Sequence, residues 1–106
     1  MEITFVKIEV LLPEGYIETL RNKLNEVGIL AVGKYDHVLS YSLVKGSWRP
    51  LEGAKPFSGN TGEICFGTEY KMEFRCLYEK IEEVLSIINS IHPYEEPIIH
   101  VLPLLF

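Results

Sequence analysis

Tyr70-Lys71-Met72-Glu73-Phe74-Arg75-Cys76 alternates without a break. Tyr70, Met72, Phe74 and Cys76 point one way, and Lys71, Glu73 and Arg75 the other. That is the two-residue repeat of a strand with one face in a core and one in water. The strand reads over 64–77. The period then changes. Ile81, Val84, Leu85, Ile88 and Ile91 recur at steps of three and four, which predicts a helix over 79–91 with one apolar stripe. A last strand over 98–105 is apolar on both faces except at His100.

The first half of the chain repeats this order. Val6, Ile8, Val10 and Leu12 share one face of a strand over 3–12, which Pro13 ends. Ile17, Leu20, Leu24 and Val27 form the stripe of a helix over 14–27, with Gly28 placed as its left-handed stop. Val38 to Lys45 is rich in strand formers and reads as a second strand, with a turn expected at Gly46-Ser47. Residues 49–62 hold Pro50, Gly53, Pro56, Gly59 and Gly62, a density of breakers that reads as a long loop. The order β-α-β-loop-β-α-β predicts an α+β, ferredoxin-like βαββαβ sandwich: a four-stranded antiparallel sheet with both helices on one face.

The chain of 106 residues is one domain, spanning 1–106, without a tandem repeat or interdomain linker. Its ten basic residues are scattered and its net charge is −5, which argues against nucleic acid as a partner. No apolar run approaches the ~20 residues of a membrane span. Met1-Glu2-Ile3-Thr4-Phe5 lacks the basic start of a signal peptide. Two cysteines, Cys65 and Cys76, are too few for a disulfide framework. A cytoplasmic protein with reduced thiols is expected. Two helices cover one sheet face only, yet Ile3, Phe5, Val6 and Ile8 in strand one, and Ile98, Ile99, Val101 and Leu102 in strand four, are apolar on both. A second copy of the chain is the expected cover.

Two clusters are candidates for chemistry. His92-Pro93-Tyr94-Glu95-Glu96-Pro97 sets an imidazole, a phenol and two carboxylates between prolines that restrict the backbone, and Tyr35-Asp36-His37 lies about sixty residues earlier. If the segment entering strand two and the turn before strand four share one end of the fold, His37, His92, Glu95 and Glu96 offer the imidazole and carboxylate donors that suit zinc or copper. The spacing matches no metal motif. The plainer reading has His92 capping the second helix, Tyr94 packing, and the glutamates paired with Arg49 or Lys34. The second candidate is Trp48-Arg49-Pro50 with the glycine-rich loop to Gly62. Its Arg49 fork and exposed amides suit an anion, although the spacing of a phosphate loop is absent. The plainer reading there is a loop packed on a neighbouring subunit. No activated serine or cysteine nucleophile is evident.

Four motifs in order carry a resemblance. Gly33-Lys34-Tyr35-Asp36-His37, Gly46-Ser47-Trp48-Arg49-Pro50, Gly53-Ala54-Lys55-Pro56 with Gly59 and Gly62, and His92 to Pro97 resemble the YqfO-type insert domain of the NGG-interacting-factor family, over about residues 3–104. The closing His-Pro-Tyr-Glu, with Pro97 and an apolar strand after it, also resembles the end of the CutA divalent-cation-tolerance family. The resemblance implies the CutA and PII-signalling shape, assembled as a trimer. The metal-binding half of the larger family is not in this chain, so its hydrolase activity is not carried over. Ile98-Ile99-His100 departs from the pattern expected of the insert.

The expected function is a trimeric binding or regulatory module without catalysis. Tyr35, Asp36, Arg49 and Tyr94 are its ligand-binding candidates, and His37, His92, Glu95 and Glu96 its candidates for a divalent metal. Two alternatives stand beside it: a metal-dependent hydrolase using His37 and His92, and a protein-interaction module acting through the 49–62 loop.

Overall fold

A computed structural model describes residues 2–106. Strand β1 (Phe5–Leu12) leads through a short 3-10 turn (Glu14–Tyr16) into helix α1 (Ile17–Glu26). Strands β2 (Ser40–Trp48) and β3 (Cys65–Leu77) form a long hairpin. A second 3-10 turn (Tyr78–Lys80), helix α2 (Ile81–Ile91) and strand β4 (Ile99–Leu104) complete the chain. The sheet is antiparallel in the order β2-β3-β1-β4, the ferredoxin-like arrangement expected from the element order. No helix among the described residues is long and apolar enough to cross a membrane.

The alternation of β1 and β3 builds the core. Val6, Ile8, Val10 and Leu12 lie opposite Cys76, Phe74, Met72 and Tyr70, and all but Tyr70 are buried. Ile17, Leu20 and Leu24 of α1 and Val84 and Ile88 of α2 close over them. Val27 is not part of this stripe. The helix ends before it, the chain reverses at Gly28 (φ 79°), and the Ile29 N–H bonds the Leu24 carbonyl at 3.1 Å. Ile29 and Leu30 thereby enter the core in its place, and Val27 is exposed.

The turn expected at Gly46-Ser47 is strand instead. Gly46 pairs with Gly67, Ser47 with Phe66 and Trp48 with Cys65, so the hairpin is longer than its flanking residues suggest. Two facing glycines leave room for a ring: a methyl placed on Gly67 would lie 3.1 Å from the Trp48 indole. Tertiary pairing overrides local turn propensity here.

The sheet face opposite the helices is not uniformly apolar. The register places Lys7, Glu9, Lys71 and Glu73 across its middle, joined by ion pairs of Lys7 to Glu9 (3.0 Å) and to Glu73 (3.7 Å) and of Lys71 to Glu73 (3.3 Å). His100 approaches Glu9 at 3.6 Å. At one end Arg75 stacks 4.2 Å from the centre of the Phe5 ring. The Cys65–Glu69 half of β3 pairs only with β2, beyond the end of β1, as a projecting two-stranded ribbon. On its helix side Phe66 is 79% exposed, the same row continues into the body of the sheet with Tyr41 opposite Met72 and Leu43 opposite Tyr70, and Ile64, just before β3, is exposed as well.

Candidate functional site

The His92–Pro97 turn lies where β1 stops. Helix α2 closes with the His92 N–H on the Ile88 carbonyl (2.8 Å), and Pro93 forces His92 into an extended conformation (φ −63°, ψ 131°). That change of direction carries the His92 ring over the last residues of β1. Its Nδ1 accepts the Tyr94 N–H at 3.2 Å, so the ring proton sits on Nε2, which donates to the Leu11 carbonyl. Burial holds His92 below the ordinary imidazole range, with the Leu11 carbonyl and the Glu69 charge acting the other way. The imidazole is neutral, and both nitrogens are engaged.

The rest of the turn is tied in the same manner. The Tyr94 hydroxyl donates to Glu69 Oε2 at 2.6 Å, beside the part of β3 that β1 leaves unpaired. Burial, and then the Glu69 carboxylate as acceptor and charge, push the Tyr94 phenol well above its usual range. The two rings lie 4.6 Å apart. Glu95 accepts the Lys55 backbone N–H through both carboxylate oxygens, at 2.9 and 3.3 Å, and so reaches into the long loop. Phe57 of that loop rests between Tyr16 (6.5 Å, edge-on) and Tyr94 (5.6 Å). The Leu11 N–H, bonded to the Ile98 carbonyl at 3.2 Å, leads the chain into β4. Glu96 and Arg49 are exposed. The glutamate partner is thus the Lys55 amide rather than Arg49 or Lys34.

The loop itself is ordered by its own hairpin. The Gly62 N–H bonds the Pro50 carbonyl (2.8 Å), and the Trp48 indole N–H bonds the Ser58 carbonyl (2.9 Å). Gly59 has φ 102°, and a methyl there would fall 2.6 Å from Cys65 Sγ.

Tyr35, Asp36 and His37 are elsewhere. Each helix runs back along the strand that precedes it, so α1 ends under the Phe5 end of the sheet while α2 ends at the Leu12 end. His37 (φ 55°) is tied to the last turn of α1 by its N–H on Asn25 Oδ1, 2.8 Å. Its Nδ1 lies 2.9 Å from Asp36 Oδ1, and that hydrogen bond keeps the Asp36 carboxyl below the ordinary range. Tyr35 is 77% exposed beside a shallow depression lined by Ala31, Gly33 and Lys34. His37 and His92 therefore stand at opposite ends of one protomer. Among the described residues, no three His, Cys, Asp or Glu side chains form a metal-sized set. Within one protomer the donors His37, His92, Glu95 and Glu96 do not fit a common ion.

Reading the sequence did not reveal Tyr16, Phe57, Glu69, the Lys55 amide or the Leu11 carbonyl as members of this cluster. Phe57 offered the one signal, a large ring in a stretch of glycine and proline.

No family model matches the chain. The GTP cyclohydrolase 1 type 2 homolog of Bacillus subtilis is 36% identical over 90 residues, 85% of this chain and 24% of that protein. The chain spans about a quarter of the length of the curated relatives it matches. The crystal structure of a Bacillus cereus protein related to NIF3 superposes with a TM-score of 0.83 at 26% identity, covering 98% of this chain and 26% of that one. The fold is shared with the periplasmic divalent cation tolerance protein CutA of Archaeoglobus fulgidus (TM-score 0.72, 20% identity, 96% and 85% covered). It is also shared with GlnK of Bacillus subtilis (TM-score 0.67, 17% identity, 96% and 86% covered). Sequence and fold together make the chain similar to about a quarter of these NIF3-related, YqfO-type proteins, with the ferredoxin-like fold of CutA and GlnK.

Proposed function

We propose that this domain is a non-catalytic binding or regulatory module that works as a cytoplasmic homotrimer. The observation that carries the reading is the β2–β3 edge of the sheet, where Tyr41 and Leu43 in its body and Phe66 on its projecting end form one exposed row, with Ile64 exposed beside it. A two-stranded extension is marginal in water by itself, and a row of large apolar side chains leading into it is a surface built to be covered. A second copy supplies the cover.

The polar groups favour binding over catalysis. His92 and Tyr94 spend their hydrogen-bonding capacity on the protein itself, on the Leu11 carbonyl, the Tyr94 N–H and Glu69. A general acid or base needs a free site toward substrate. The name of the relatives points to an enzyme, but this domain matches about a quarter of their length, and cyclohydrolase chemistry belongs in this reading to the remainder. A divalent metal enters through the exposed His37–Asp36 pair, with the missing donors supplied by another copy. The 49–62 loop, carrying Arg49, is the part of the module offered to a ligand or protein partner.

Equilibrium sedimentation tests the assembly. The wild type is expected to be a trimer at micromolar concentration, and Phe66→Asp or Leu43→Asp to shift it toward monomer. A wild type that stays monomeric across that range removes the reading.

A further inference from the structure

The long loop is held in two different ways. Its shape comes from its own hairpin: the Ala54 N–H on the Leu51 carbonyl (3.0 Å), the Gly62 N–H on the Pro50 carbonyl (2.8 Å), the Glu63 N–H on the Asn60 carbonyl (3.2 Å), and the Trp48 indole on the Ser58 carbonyl (2.9 Å). Its hydrogen bonding to the rest of the molecule is, among the described residues, one amide clamp, the Lys55 N–H on Glu95. Beside that clamp one ring docks: Phe57 lies between Tyr16 and Tyr94 and still exposes 55% of its surface. A loop tied this way can leave the body without losing its internal order.

The receiving side is made without the loop. Tyr94 is fixed by Glu69 and by the His92 ring, and His92 by Leu11. Tyr16 is fixed by its N–H on the Pro13 carbonyl, 3.1 Å, at the start of the helical turn. Glu95 then presents a carboxylate beside two aromatic rings. Lys55-Pro56-Phe57 meets this surface as a short bound peptide would, with a backbone N–H on the carboxylate and a ring two residues later against two rings. Strong N–H···carboxylate bonds and edge-on aromatic contacts are the ordinary means of holding an extended segment.

We propose that Tyr16, Tyr94 and Glu95 form a peptide-docking slot that the loop fills as an intramolecular ligand. The slot takes an extended segment of a partner protein that offers a backbone N–H followed two residues later by an aromatic side chain, and the loop swings out as that segment enters. This inference rests on the reading of the domain as a binding module and names the class of its partner. The loop is then an autoinhibitory strap, and emptying the slot raises affinity for a segment supplied in trans.

The test uses the full chain and the capped peptide acetyl-Ala-Lys-Pro-Phe-Ser-Gly-amide, which copies residues 54–59. Binding is followed by calorimetry and by amide shifts of residues 92–96. Phe57→Ala vacates the slot and is expected to bind the peptide at least tenfold more tightly than the wild type. Adding Glu95→Ala to that variant is expected to cost tenfold or more, and a peptide with alanine for phenylalanine is expected not to bind. Unchanged amide shifts of β1 and β3 show that the variants are folded. No binding by Phe57→Ala up to millimolar peptide, or equal binding with and without Glu95, overturns the proposal. Sedimentation of the same samples separates the two readings: a monomer that binds the peptide sinks the trimer and keeps the slot, and a trimer that does not bind it does the reverse.

Discussion

Replacing His92 by alanine removes one ring and three interactions at once. The Leu11 carbonyl loses its donor, the Tyr94 N–H loses its acceptor, and Tyr94 loses the ring 4.6 Å away. A polar group left unpaired in a fully buried site costs about 1–3 kcal/mol. The site is half-buried and water reaches it, so about 1 kcal/mol for each orphaned group is the appropriate size. Lost ring packing adds about 1 kcal/mol. His92→Ala should therefore cost roughly 2–3 kcal/mol at pH 8 and lower Tm by about 10 °C or more in a domain of this length. The pH dependence carries the sharper test. The unfolded chain titrates this ring near its ordinary value of 6.5, whereas burial holds the folded value lower. The unfolded state thus takes up the proton first, and the His92 contribution is complete above about pH 6.5 and lost as pH falls from there toward the folded value. The structural reason is plain: a second ring proton on Nδ1 would point at the Tyr94 N–H. The gap between wild type and His92→Ala, measured by urea unfolding at one protein concentration, should shrink from pH 8 to pH 5. His37 and His100 are common to both proteins and cancel in the difference. A gap that stays constant over that range would refute the neutral tautomer. A gap at pH 8 that vanishes with a chelator would show instead that the ring holds a metal.

Three further outcomes follow from other parts of the fold. Tyr94→Phe deletes the hydroxyl on Glu69 and should cost about 1.5 kcal/mol, the lower end for a bond to a charged acceptor because the pair is partly solvated; unfolding in urea measures it, and a stabilised variant would contradict the geometry. Gly67→Ala places a methyl 3.1 Å from the indole of Trp48, the chain's single tryptophan, so the ring should tilt, release the Ser58 carbonyl and shift its emission to the red with less than about 1 kcal/mol lost; unaltered emission would mean that the indole does not lie over Gly67. Ile8→Ala, in the central strand and fully buried, should cost about 2–5 kcal/mol in thermal unfolding, and a loss below 1 kcal/mol would show that this strand is not the middle of the core.

The fold was readable because its determinants are local. Strand alternation in 64–77 and the helical stripe of Ile81, Val84 and Ile88 are properties of neighbouring residues, and their order alone implies the sheet. Errors came where a distant partner decides. Gly46-Ser47 looks like a turn until Gly67 and Phe66 face it, and Val27 looks like core until Gly28 brings Ile29 and Leu30 past it. The apolar residues of β1 and β4 suggested an apolar patch on the second face that needs cover, and pairing with β3 brings Lys71 and Glu73 beside Lys7 and Glu9 and makes the middle of that face charged.

By itself the sequence determined the elements, their order, the family resemblance and the two polar clusters, since periodicity, proline placement and motif are written along the chain. Tertiary structure alone decided that those clusters part company. Each helix reverses along the strand before it, which sends His37 to one end of the sheet and His92 to the other. It also decided that the partners of Tyr94 and Glu95 are Glu69, 25 residues away, and the Lys55 amide, 40 residues away. Contacts between residues so far apart are set by how the layers close, and no local pattern encodes them.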